Sequence, residues 1–65
     1  MDKPRCKLVG ENGNIFNLIG IASRTLKKNG QIIQANEMTK RIIQDEEAKS
    51  YDEALAIIME YVDVY

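Results

Sequence analysis

Apolar residues recur between positions 15 and 26 with the period of an α-helix. Ile15, Leu18, Ile19, Ala22 and Leu26 fall on one stripe at spacings of three and four, the signature of a helix with one buried face. Asn14 supplies an N-cap, because its short side chain can accept from the free amides of the first turn. Asn29-Gly30 supplies a stop, because glycine tolerates the left-handed conformation that ends many helices. Lys27 and Lys28 stand in the last turn, where positive charge suits the helix dipole. Asn12-Gly13 also reads as a hairpin turn with a strand at 14–18, but the periodicity favours a helix over about 14–29.

A second helix is expected over about 34–48, with Ala35, Met38, Ile42 and Ile43 facing inward and Gln31-Ile32-Ile33 serving as a connector or first turn. A third, over 50–61, opens with Ser50 and Glu53, the spacing of a capping box. Leu55, Ile58, Met59 and Val62 follow at helical spacing. Before the first helix, Cys6-Lys7-Leu8-Val9 alternates and stops at Gly10, which predicts a short strand. The β-branched and aromatic end, Tyr61-Val62-Asp63-Val64-Tyr65, suits a partner strand. Reversals near residues 10–13, 30 and 48–50 would make that pairing antiparallel.

The expected fold is therefore α+β and mostly helical. It has three helices and a short antiparallel pairing of segments 6–9 and 62–65 in one domain spanning 1–65, with residues 1–4 disordered. Its expected core is Ile15, Phe16, Ile19, Leu26, Ile42, Leu55, Ile58 and Met59. On this phase Leu55→Ala would cost about 2–5 kcal/mol.

Composition narrows the chemistry. Of the 65 residues 45% are hydrophobic and one is proline, which argues against disorder. There is no histidine and a single cysteine, which excludes an internal disulfide and Ser-His or Cys-His catalysis and argues against a zinc cage. Cys6 lies between Arg5 and Lys7, yet without a base it reads as a small hydrophobe. The carboxylates lack the spacing of a calcium loop. Gly10-Glu11-Asn12-Gly13 lacks the Lys-Ser/Thr of a phosphate loop. No enzyme activity, cofactor or metal is expected. No apolar run approaches the roughly 18 residues of a membrane span, and Met1-Asp2-Lys3-Pro4-Arg5 is not followed by a signal-peptide core. A cytoplasmic location without membrane contact is the expectation.

The net charge of −1 hides a split. Residues 1–30 carry Lys3, Arg5, Lys7, Arg24, Lys27 and Lys28 against Asp2 and Glu11, a balance of +4. Residues 31–65 carry Lys40, Arg41 and Lys49 against eight carboxylates, a balance of −5. The halves either neutralise one another, within the fold or across a dimer, or present a basic face. The candidate interaction face is the back of the first helix: Ile21, Arg24, Lys27 and Lys28. A helix-turn-helix reading fails on charge, because its recognition helix would carry Asp52, Glu53, Glu60 and Asp63 into the phosphates.

Lys7-Leu8-Val9-Gly10-Glu11-Asn12-Gly13-Asn14-Ile15-Phe16, the basic helix ending at Gly30, and the closing Tyr61-Val62-Asp63-Val64 resemble a family of small uncharacterised bacterial proteins. Some members are encoded on conjugative transposons, integrated elements or prophages. The resemblance spans nearly the whole chain except Gln31–Gln34, which is more apolar than the family pattern. It implies an accessory protein of a mobile element and brings no activity with it. The leading expectation is a non-catalytic module that binds an unidentified protein or itself. The alternative is nucleic-acid binding through Lys3, Arg5, Lys7, Arg24, Lys27 and Lys28, as phosphate contacts require clustered cations.

Overall fold

The computed structural model describes residues 3–65. Three helices carry the chain out and back between two short strands. The first helix, α1, spans Ile15–Lys28. Asn14 caps it by accepting from the Phe16 amide at 2.9 Å. At its other end the Gln31 amide donates to the Leu26 carbonyl and the Gly30 amide to that of Lys27. These are the two bonds of a Schellman motif, and Gly30 takes the left-handed position at φ 75°, where a side chain would be strained.

The second helix departs from expectation at both ends. It begins earlier, as α2 over Ile32–Thr39, and runs into a π-helical turn over Lys40–Gln44. There the Asp45 amide reaches back to the Lys40 carbonyl at 2.9 Å, one residue further than an α-helical bond. Glu46, at φ 50°, then turns the chain out of helical conformation, so the helix stops short of the expected residue 48.

The third helix, α3, spans Tyr51–Tyr61. Ser50 accepts from the Glu53 amide at 3.2 Å. Glu53 in turn accepts from the Lys49 amide rather than that of Ser50, so the reciprocal cap is offset by one residue.

The expected antiparallel pairing is corrected. Strands β1, Arg5–Cys6, and β2, Asp63–Val64, run parallel, with Arg5 opposite Asp63 and Cys6 opposite Val64. Asp63 donates to the Pro4 carbonyl, Tyr65 to that of Cys6, and Leu8 to that of Tyr65. This ladder alternates from strand to strand as a parallel pair requires. A parallel pair needs a long crossover, and the three helices are that crossover. The antiparallel expectation assumed that β2 inherits the heading of α3. Instead Val62, extended at φ −131° and 1% exposed, redirects the chain directly after the helix. Of the segment 1–4, Met1 and Asp2 lie outside the described residues. Pro4 is tied to β2, and the Lys3 ammonium donates to the Met59 carbonyl at 2.9 Å.

The core joins one face of each element: Cys6 and Leu8; Leu18, Ile19, Ala22 and Leu26; Ala35 and Met38; Ile57, Ile58 and Val62. Ile19, Leu26 and Ile58 are buried as expected, and Ile15, Ile42 and Leu55 are half-buried at its margin. Phe16 and Met59 are exposed instead, as is Ile43 of the expected inward set. Helix α3 turns Ala54, Ile57 and Ile58 inward, a face rotated from the Leu55–Met59 stripe by about one residue's 100°.

Candidate functional site

Five large side chains at or beyond the margin of the core converge at one end of the helices. The start of α1 contributes Ile15 and Phe16, the π-helical turn contributes Ile42 and Ile43, and the start of α3 contributes Tyr51. They surround a groove of about 400 Å³ whose rim carries Glu46 and Lys49. Phe16 is 67% exposed, Ile43 45% and Tyr51 46%. Isolated surface hydrophobics are ordinary, but a contiguous group around a concavity is the usual mark of an interaction site. π-helical turns occur frequently at such sites, and here the turn sets two consecutive isoleucines beside the groove.

The turn is anchored from behind by Arg41. Its guanidinium pairs with Glu47 and Glu60, each at 3.0 Å, and donates to the Tyr61 hydroxyl at 3.1 Å. Tyr61 donates onward to Glu37 at 2.6 Å. The network therefore joins α2, the π turn, the following loop and α3. The bond from Arg41 holds the Glu60 carboxyl below the usual carboxylate range. Burial, and then the bond to Glu37, push the Tyr61 hydroxyl above its usual value. The signs of the two contributions differ. A lowered Glu60 pKa stabilises the fold above the ordinary carboxylate range near pH 4, and that contribution is lost as pH falls through the folded value. A raised Tyr61 pKa stabilises below about pH 10, and that contribution is lost as pH rises through the folded value. Melting temperature followed by circular dichroism is expected to fall at both extremes in the wild type. In Arg41→Met the acid limb should be shallower; an unchanged acid limb would remove Arg41–Glu60 as its source.

The sequence-chosen face is only partly assembled. Thr25 donates to the Cys6 thiol at 3.6 Å, which lays β1 along one edge of α1. At about 100° per residue, Ile21, Arg24 and Lys28 lie within roughly 100° of that edge. Ile21 is half-buried against the core, so its share of an exposed face is small. Lys27 points the other way, into a polar groove of about 470 Å³ shared with Ser23, Asn36, Lys40 and Gln44. Of the strand cations, Arg5 stacks on the Tyr65 ring at 4.2 Å and Lys3 is held by α3. Lys7 is exposed. Among the described residues, every ion pair lies between positions 40 and 60. The acidic half thus neutralises its own Lys40 and Arg41, and no ion pair links it to the basic half.

The groove went unrecognised in the sequence because Phe16, Ile42 and Ile43 carry the same apolar signal as core residues. Among the described residues no group of three or more histidine, cysteine or carboxylate side chains is arranged to hold a metal ion. No helix among them is long and apolar enough to cross a membrane. No protein-family model, curated protein or solved structure matches this chain.

Proposed function

We propose that this chain is a non-catalytic protein-interaction module, an accessory protein of a mobile genetic element working in the cytoplasm, and that it docks its partner in the groove at Phe16, Ile43 and Tyr51. The observation that carries the reading is that groove: large apolar side chains left in water around a concavity. The mobile-element context rests on the family resemblance alone. In the test, tagged wild type and Phe16→Asp are compared in affinity capture from the native host, with quantitative mass spectrometry. Phe16 is exposed and sits in the first turn of α1, where an aspartate favours the helix dipole, so the variant should keep its fold. Loss of a central aromatic anchor typically weakens an interface by about 30-fold or more. A partner enriched with wild type and depleted with Phe16→Asp is the expected result. Equal recovery of every captured protein by both would overturn the docking site.

The second reading is nucleic-acid binding, and it is favoured by the lack, among the described residues, of any ion pair to the cations of the basic half. With Lys27 turned away and Lys3 engaged, its footprint contracts to Arg5, Lys7, Arg24 and Lys28. Duplex affinity would then fall with salt at a log–log slope of about −0.9 per phosphate contacted, up to four contacts. The absence of binding at low salt would remove this reading.

A further inference from the structure

Two features stand at opposite ends of the α1–α2 hairpin. At one end lies the groove. At the other, beyond the Schellman turn, α2 opens with Ile32 and Ile33, which are 56% and 76% exposed. Between them runs α1, whose 14 residues cover about 21 Å. The charges around the two ends are opposite. From Asn12 to Asn36 the chain carries Arg24, Lys27 and Lys28 and no acid, so the isoleucine corner projects from a basic end. The segment from Asp45 to Glu53, of which Glu46, Ala48, Lys49, Ser50 and Tyr51 line the groove, carries Asp45, Glu46, Glu47, Asp52 and Glu53 against Lys49. Among the described residues no ion pair connects the two halves.

We infer that the occupant of the groove is a second copy of this chain, whose Ile32–Ile33 corner seats among Phe16, Ile43 and Tyr51 while its Lys27 and Lys28 face the acidic wall. This rests on the reading of the groove as a docking site and names its partner. The complementarity is apolar corner to apolar groove and cation to carboxylate, and both members of each pair belong to the same chain. The contact is heterologous: one corner seats in one groove, without a reciprocal contact across a two-fold axis. It leaves the pair with one free corner, on one copy, and one free groove, on the other, and assembly therefore proceeds beyond a dimer, to a closed ring or an open row. The charged component is screened by salt over a Debye length of about 8 Å at physiological ionic strength, so assembly weakens as salt rises.

The experiment is sedimentation of the full chain at rising concentration, with two variants. Ile33→Asp removes the corner and keeps the groove; Phe16→Asp removes the groove and keeps the corner. Both positions are exposed in a first helical turn, and circular dichroism confirms each fold before use. Wild type is expected to grow past a dimer, and each variant alone to associate about 30-fold or more weakly. Mixed in equal amounts, the variants are expected to form a one-to-one dimer that grows no further, through the one intact corner and the one intact groove. A monomeric wild type at millimolar concentration, a wild type that stops at a dimer, or a mixture that fails to pair would each overturn the inference. Any of these together with Phe16-dependent capture of a different protein would overturn self-docking while leaving the groove's role intact.

Discussion

Ile58→Ala is expected to leave a large share of the molecules unfolded at room temperature. Ile58 is fully buried in the middle of α3, within the cluster that joins all three helices to the strands. Removing its side chain forfeits the transfer free energy of the missing methyl groups and opens a cavity, together costing about 2–5 kcal/mol. A domain of this length has a total stability of only about 3–10 kcal/mol. The melting temperature should drop by roughly 10–30 °C. Leu55→Ala is the internal comparison, since it stands on the same helix but is only half-buried. It should cost about 1 kcal/mol, below the 2–5 kcal/mol that a core position would carry. Urea melts of the two variants decide the phase of α3. A larger loss at Leu55 than at Ile58 would restore the stripe expected from sequence.

Ala22→Asp is expected to prevent folding at neutral pH. Ala22 on α1 and Ala35 on α2 are both fully buried, on the two helices that pack most extensively together. Small side chains there let the helices approach closely. A carboxylate at position 22 would lose its hydration with no cation among the buried residues around it, an effective penalty of several kcal/mol. Ala22→Leu separates charge from size: overpacking should cost about 1–3 kcal/mol. As a control, Ala56→Asp, on the exposed side of α3, should cost less than about 1 kcal/mol, chiefly through helix propensity. Thermal melts should rank the three in that order. A folded Ala22→Asp with the parent's melting temperature would show that α1 does not pack through this face.

The first helix was readable almost residue by residue, because its signals are local. The Asn14 cap, the apolar stripe and the Gly30 stop each act within a turn of the residues they control. The start of α3 was readable for the same reason. Its phase was not, because Ala54-Leu55-Ala56-Ile57-Ile58-Met59 is apolar throughout and periodicity selects no face. Packing against α1 and α2 made that choice. The end of α2 was misjudged because nothing in Lys40-Arg41-Ile42-Ile43-Gln44 announces a π-helical turn. The contacts of Arg41 with Glu47, Glu60 and Tyr61, residues 6 to 20 positions away, accompany it in three dimensions.

The candidate site divides in the same way. The charge split is a property of the sequence, as is the lack of histidine and of a second cysteine. Whether the halves neutralise one another depends on which side chains come within reach, and the ion pairs of the described residues all lie inside the acidic half. Phe16 and Ile43 are apolar wherever they stand, but burial depends on what covers them, and no element among the described residues lies over the groove. The parallel sense of β1 and β2 follows the same rule. The strands' composition disposes them to pair, while their relative direction is set where Val62 enters the core and turns the chain. Local chemistry thus determined where α1 and α3 begin, which charges the chain carries and which catalytic groups it lacks. Headings, helix faces and the groove depend on contacts between residues far apart in the chain, and only the tertiary structure decided them.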